Sequence, residues 1–276
     1  MHATPQSIWQ VPAYLPYLQP PITDELVREA EREIGFKLPS SYLALLKTQN
    51  GGYIRFGLPD SVHEMIYGIG PNFPSITGVD WEEVKESVTM QLDGLIPFDG
   101  DGHWHLCIDY RKNVNKPCVS YVDVECDSES KVADSFEEYL QMLELNVEEN
   151  EFVIPSVSDI ESVKSKLSSL LRVKFEAPDT YDSGYPIERA RLGSARDPEW
   201  IWISPNLVSR GFVREDDSRY QELRELMPGQ AKRYPELPES SYILSATDKI
   251  RSKVLDAIQK ASIEIRPLAD YFPSTQ

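Results

Sequence analysis

The sequence predicts an α+β fold in which helices pack on an antiparallel sheet, followed by a second, smaller α+β domain. Apolar residues recur at helical spacing in residues 23–34, 39–49 and 136–146, so each segment has one apolar stripe to bury. Residues alternate between two faces in the predicted strands 104–110 and 118–125. The short turn between these strands favours an antiparallel pair.

The first two helices are predicted to be joined by a tight elbow. Thr23 is a suitable N-cap, because its hydroxyl can accept a hydrogen bond from the first turn. Gly35 is the predicted end of the first helix, since glycine adopts a left-handed conformation without steric cost. Pro39 fits the first turn of the second helix, where its missing N–H is no loss. That helix is predicted to end at Asn50-Gly51-Gly52.

Several motifs of the first half occur in a characteristic order. The string E-x-x-I-G-x-x-L-P-x-x-Y-x-x-L-L-x-x-x-N-G-G spans residues 31–52, and it is followed by PFDGDG at 97–102, the strand 105–110 and SFEEYL at 135–140. In this order they resemble the SMI1/KNR4 (SUKH) family over roughly residues 22–145, and the second half is left unassigned. The resemblance implies structural roles for Gly35, Leu38, Pro39, Tyr42, Asn50, Gly51, Gly52, Gly100, Gly102 and Asp109.

The chain is expected to have three parts. Residues 1–21 combine five prolines with aromatic side chains, which excludes a helix and favours an extended arm packed on the first domain. Residues 22–147 form the SMI1/KNR4-like domain. The hydrophilic run 147–151, followed by Pro155, marks the boundary before an uncharacterised α+β domain at 156–276.

The second domain is predicted to mix helices and strands without the long crossovers of a parallel sheet. Helices are predicted at 158–171, 216–226 and 247–261, and strands at 173–175, 187–192, 200–203 and 263–265. Several arginines lie near Trp200 and Trp202, a combination that can bind phosphate or RNA. Neighbouring acidic residues nearly cancel them, so a solvated surface of mixed charge is the preferred interpretation.

Composition favours an ordinary globular protein. Hydrophobic residues make up 41% and charged residues 26% of the sequence, and no apolar run is long enough to span a membrane. The first residues lack the basic and apolar regions of a signal peptide. Three cysteines are too few for a disulfide scaffold. A cytoplasmic location is therefore expected, and the oligomeric state is left open.

The negative charge is concentrated in the first half. Residues 1–150 hold 25 acidic and 10 basic residues, whereas residues 151–276 hold 20 and 18. The balance is −15 against −2, out of a total of −17. Solubility is one explanation. The other is a basic protein partner that the field attracts and orients. Direct binding to nucleic acid is disfavoured, because affinity for phosphates comes from clustered Lys and Arg.

The segment FDGDGHWH contains Asp99, Asp101, His103 and His105 at a spacing that invites a metal interpretation. However, Asp-Gly-Asp-Gly also suits a tight turn, because glycine supplies positive φ. An EF-hand loop would need a closing Glu at the position of Tyr110, and a zinc site would need further ligands on the same face. The segment is therefore interpreted as a turn, and no metal or cofactor is predicted.

No catalytic motif of a phosphate-binding loop, serine hydrolase or metalloprotease is present. Two classes of function remain. One is a binding protein, since the resemblance implies an immunity protein that neutralises a toxin, often a nuclease, or a cell-wall regulator of the fungal type. The other is an enzyme whose site lies in the second domain, where any acid–base group would have to be something other than histidine.

The binding hypothesis selects acidic residues that flank the central hairpin. A basic partner is predicted to contact Asp99, Asp101, Asp123, Glu125 and Asp127. A second set, on a predicted acidic helix over residues 80–91, consists of Asp80, Glu82, Glu83 and Glu86.

Overall fold

The structure is a computed structural model, and it describes residues 7–59, 63–82, 84–147, 150–157, 159–180 and 183–272. The chain divides into two compact units, Met1–Asn146 and Val147–Gln276. Each unit mixes helices with antiparallel strands, as the sequence predicts for both halves. No helix in the part of the chain that the structure describes is long and apolar enough to cross a membrane.

The first unit is built around a four-stranded antiparallel sheet. Its helices are α1 (Asp24–Ile34), α2 (Ser40–Leu46) and α3 (Phe136–Met142). Its strands are β1 (Ala13–Tyr14), β2 (Gly52–Tyr53), β3 (Phe56–Gly57), β4 (Met65–Ile66), β5 (Leu95–Gly100), β6 (Trp104–Asp109), β7 (Cys118–Asp123), β8 (Ser128–Ala133) and β9 (Glu144–Leu145). Strands β5 to β8 pair in sequence order, while β2 pairs with β4 and β3 with β9.

The two faces of this sheet bury different side chains. Leu106 and Ile108 of β6 lie on the face that packs against the helices, whose own apolar stripes complete the main core. Cys107 lies on the opposite face, in a smaller cluster with Val122 and with the half-buried Trp81. The alternation predicted for β6 is therefore confirmed, because successive side chains of a strand point to opposite faces.

The elbow between α1 and α2 has the predicted geometry. The Thr23 hydroxyl accepts a hydrogen bond from the Leu26 N–H at 3.1 Å. Gly35 ends the helix with φ +78°, and its N–H donates to the Glu31 carbonyl at 3.1 Å. Helix α2 starts one residue after Pro39 and ends at Leu46, three residues before the predicted end at residue 49.

Replacing Gly35 with valine is expected to lower the free energy of unfolding by more than about 1 kcal/mol, because a β-branched residue is strained at positive φ. A Cβ placed there would meet no atom within 4 Å, so the cost arises from the backbone alone. Urea denaturation measures the change. Gly35→Asn is the matched control and should cost less, since asparagine tolerates this conformation; equal stability of Gly35→Val and the parent chain would contradict the argument.

Two elements of the first unit differ from the prediction. The described residues of the acidic segment, 80–82 and 84–91, form hydrogen-bonded turns rather than a helix, because Trp81 and Val84 pack against the second face of the sheet. Strand β8 was not predicted. Its sequence SESKVA is mostly polar because it forms an exposed edge of the sheet and buries only Ala133 fully.

The second unit is organised around a five-stranded antiparallel sheet in the order β11-β12-β16-β10-β17. Its strands are β10 (Glu151–Ile154), β11 (Glu188–Ser194), β12 (Asp197–Pro205), β13 (Leu207–Ser209), β14 (Gly211–Phe212), β15 (Gln230–Lys232), β16 (Tyr242–Ala246) and β17 (Arg266–Pro267). Its helices are α4 (Ile160–Leu171), α5 (Tyr220–Leu223) and α6 (Asp248–Lys260). Leu167, Val254 and Ile258 of α4 and α6 pack with Ile201 and Leu244 of the sheet.

Several local predictions for this unit were wrong. Residues 173–175 form only an isolated bridge between Phe175 and Ala190. The final strand lies at 266–267 instead of 263–265, and the helix predicted at 216–226 is reduced to α5. Strands β10 and β16 were missed although they are central to the sheet.

Candidate protein-binding surface

Two turns of the four-stranded sheet lie side by side at one end. Trp104, the first residue of β6, pairs with Asp123, the last residue of β7. The Val124 N–H also donates to the His103 carbonyl at 2.8 Å. The turn between β5 and β6 is therefore joined to the turn between β7 and β8. Together these two turns carry the carboxylates of Asp101, Asp123, Glu125 and Asp127. We call the surface that they form the acidic turns.

Asp101 is exposed and is fixed by its own turn. One carboxylate oxygen accepts hydrogen bonds from the N–H groups of His103 and Trp104 at 2.9 and 3.1 Å. Slight burial acts in the opposite direction, but these N–H donors lower the pKa of the Asp101 carboxyl overall. Asp101 therefore holds a negative charge at neutral pH in a defined position.

Asp127 and Asp123 are fixed in the second turn. Asp127 has φ 47° and accepts hydrogen bonds from the N–H and the hydroxyl of Thr89 at 2.8 and 2.7 Å, which lower the pKa of its carboxyl. Asp123 is half-buried and accepts a hydrogen bond from the Cys126 N–H at 2.7 Å. Both side chains therefore stabilise the turn through hydrogen bonds and also contribute negative charge to it.

Basic side chains lie beside only some of these carboxylates. His103 Nδ1 lies 3.5 Å from Glu125 Oε2, and both side chains are exposed. Arg111 Nη1 lies 2.7 Å from Glu129 Oε2 on the neighbouring strand β8, and Arg111 also binds Asp109. The exposed His103–Glu125 pair contributes little to stability. Arg111 is largely buried and pairs with Asp109 and Glu129, neither of which belongs to the acidic turns.

The prediction that Asp99 lies on the binding surface was wrong, because its side chain is buried inside the domain. It is 3% exposed, and its Oδ2 is 2.5 Å from Nδ1 of His63, whose other ring nitrogen contacts the Tyr139 hydroxyl. The sheet register shifts between Pro97 and Asp99, and this irregularity lies next to the Asp-Gly-Asp turn. Asp99 and Asp101 therefore lie in different environments although they are two residues apart.

The second predicted acidic set is exposed but is not presented by a helix. Asp80, Glu82 and Glu86 lie on the turns that cover the second face of the sheet. Glu82 is 3.4 Å from the Nζ atom of Lys85. Glu83 lies outside the described residues. None of these carboxylates is tied to the acidic turns by a hydrogen bond that the structure shows in its described part.

Comparison with protein families assigns the first half. Residues 21–142 match the model of the SMI1/KNR4 family (SUKH-1). This part of the chain is therefore similar to the family, and we call it the SMI1/KNR4 domain. The match leaves the second half unassigned, and neither the curated proteins nor the solved structures gave a significant match to the chain. The family includes immunity proteins.

Most motif residues of the SMI1/KNR4 domain make contacts in its interior. Asp109 accepts two hydrogen bonds from the Arg111 guanidinium at 2.9 and 2.7 Å and one from the Ser120 hydroxyl at 2.8 Å. Burial would raise the pKa of Asp109, but these donors lower it. The Tyr42 hydroxyl donates to the Tyr67 carbonyl at 2.6 Å, and the Leu38 N–H donates to Glu31.

Glycine is required by close packing at two of the motif positions. A Cβ on Gly51 would lie 2.7 Å from the backbone nitrogen of Gly68, and one on Gly100 would lie 2.3 Å from the Trp104 carbonyl oxygen. Both residues also have positive φ, as do Gly52 and Gly102. The SMI1/KNR4 domain therefore uses these glycines to bring loops together and to turn the chain between β5 and β6.

Two of the groups that invite a catalytic or metal interpretation, Cys107 and His105, are buried. Cys107 is fully buried, and burial raises the pKa of its thiol, so it is not a thiolate nucleophile at neutral pH. The His105 ring is packed edge-on against Trp81, with centroids 5.0 Å apart. In the described ranges, no three His, Cys, Asp or Glu side chains are grouped so that they could hold a metal ion.

Proposed function

We propose that the SMI1/KNR4 domain binds a basic protein through the acidic turns, and that this protein is a toxin that the chain neutralises. The observation that carries the proposal is the grouping of Asp101, Asp123, Glu125 and Asp127 at one end of the sheet. Family membership supports the immunity role. The charge of −15 in residues 1–150 supports a partner of opposite sign.

The geometry of the turns supports binding without rearrangement. Asp101, Asp123 and Asp127 each accept hydrogen bonds from their own or a neighbouring turn, so little freedom is lost when a cation approaches. The four carboxylates create a field that increases the encounter rate with a basic surface and selects its orientation. The domain acts in this proposal by occupying the surface of its partner, without a chemical step.

The test removes charge while keeping the turns intact. The turn variant combines three substitutions, Asp123→Asn, Glu125→Gln and Asp127→Asn. Each new amide retains an oxygen acceptor, and asparagine tolerates the φ of residue 127. We expect association with the partner to slow by about tenfold at low salt and to lose most of its salt dependence. Stopped-flow kinetics with the partner recovered from the host and then purified measures both quantities.

A matched control removes the same charge from another surface. Glu25, Glu29 and Glu33 are exposed on α1, and their replacement by glutamine changes the net charge equally. The control should retain most of the association rate. An acidic partner, or a rate that ignores both salt and the turn variant, would rule out the electrostatic proposal. Turnover of a substrate by the SMI1/KNR4 domain would rule out the binding class.

A further inference from the structure

A group of aromatic side chains lies on the surface of the SMI1/KNR4 domain although each comes from a different segment. The aromatic patch consists of Tyr17, Tyr53 and Phe73. The Tyr17 ring lies 5.2 Å from that of Tyr53 and 6.1 Å from that of Phe73, centroid to centroid. Phe73 is 74% exposed, and the two tyrosines are half-buried. An exposed phenylalanine beside two tyrosine rings is a composition typical of interface anchors.

The loop that holds Phe73 in solvent is fixed by buried hydrogen bonds. Gln19 is 6% exposed, and its amide donates to the carbonyl groups of Asn72 and Pro74 while its oxygen accepts from the Asn72 N–H at 2.9 Å. The Asn72 side chain donates to the Leu18 carbonyl at 3.0 Å. The residues on both sides of Phe73 are therefore anchored, so this ring is presented on a rigid support.

Two acidic residues, Glu64 and Asp101, lie next to residues that adjoin the aromatic patch. Glu64 is exposed, and its backbone carbonyl accepts the N–H of Ile54, the residue after Tyr53, at 2.8 Å. The Tyr67 hydroxyl donates to the carbonyl of Gly100 at 2.8 Å, directly before Asp101. Burial raises the pKa of Tyr67, and the nearby charges of Asp99 and Asp101 raise it further. The Tyr17 ring of the patch is also close enough to Tyr67 to raise its pKa, so the patch lies near the β5–β6 turn.

We propose that an arginine side chain of the basic partner binds to the aromatic patch. The patch then anchors the interface beside the acidic turns. This inference rests on the proposed function and adds the position of the anchor. A guanidinium stacks on aromatic faces and pairs with carboxylates at the same time, which suits rings that lie near Glu64 and Asp101. A lysine ammonium is compact and strongly hydrated, so it gains less from the rings.

The experiment titrates the full chain with an oligo-arginine peptide and with an oligo-lysine peptide of the same length. We expect the arginine peptide to bind more tightly and to shift the ring resonances of Tyr17, Tyr53 and Phe73 in NMR spectra. Phe73→Ala should weaken arginine-peptide binding by about two- to fivefold and affect the lysine peptide less. Phe73→Trp should strengthen it, because tryptophan has the most favourable face for a cation.

Val114 provides the matched control, since it is 56% exposed in the turn between β6 and β7, at the opposite end of the sheet. Val114→Ala should leave both affinities unchanged. If Phe73→Ala binds like the parent chain while Asp101→Asn weakens binding, the aromatic anchor is wrong and the acidic surface stands. If neither peptide binds at low salt, both the anchor and the electrostatic proposal fail.

Discussion

Replacing Asp99 with alanine is expected to destabilise the SMI1/KNR4 domain by about 3 kcal/mol or more, because the buried His63 ring and the half-buried Gly100 N–H would lose their acceptor. Asp99 Oδ2 lies 2.5 Å from His63 Nδ1, and Oδ1 accepts the Gly100 N–H at 2.9 Å. His63 is 2% exposed and Tyr139 is fully buried, so water cannot replace the lost carboxylate. Urea denaturation followed by circular dichroism measures the loss.

Two further variants isolate the cause of this effect. Asp99→Asn retains an oxygen for the Gly100 N–H and fills the same volume, so it should cost clearly less than alanine. Asp101→Ala removes the same functional group from an exposed position two residues away and should change the free energy of unfolding by well under half as much. Equal stability of Asp99→Ala and Asp101→Ala would contradict the buried network.

The parts of the fold that sequence predicts are those whose pattern has a single period. Helix α1 has one apolar stripe, a threonine cap and a glycine end, and all three features agree with its structure. Strands β6 and β7 alternate cleanly because each of their faces is buried in a different cluster. In these elements local preference and tertiary packing act in the same direction.

Prediction fails where tertiary context decides. The sequence of β8 is mostly polar, so its pattern does not predict a strand. The segment becomes a strand because it pairs with β7 at the edge of the sheet. The acidic segment has helix-forming residues, yet its described residues 80–82 and 84–91 form turns in which Trp81 and Val84 pack against the sheet. Asp99 and Asp101 have similar sequence surroundings, and their opposite environments depend on a local irregularity of the sheet.

The candidate site follows the same division. The acidic turns could be predicted because the hairpin and its charges are local features of the sequence. The aromatic patch could not, since Tyr17, Tyr53 and Phe73 are far apart in the chain and meet only through folding. The spacing of Gln19 from Asn72 gives no signal either, although their hydrogen bonds fix the loop.

Replacing Asn50 with alanine is the second change expected to have a large effect, about 3 kcal/mol of lost stability. The Asn50 amide donates to the carbonyl groups of Pro20 and Ile69 at 2.6 and 2.8 Å, and its oxygen accepts the Ile69 N–H at 2.9 Å. Asn50 is buried, so alanine would leave these three backbone groups without a partner and create a cavity.

The same variant should also loosen the aromatic patch, because Ile69 lies at the start of the loop that carries Phe73. Hydrogen exchange of the Asn72 N–H should therefore accelerate in Asn50→Ala by more than global destabilisation alone explains. Asn113→Ala is the control. Asn113 also accepts backbone N–H bonds, at 3.0 and 3.2 Å, but in an exposed turn, so its loss should cost under about 1 kcal/mol. If both variants unfold at the same urea concentration, Asn50 does not have the structural role assigned to it.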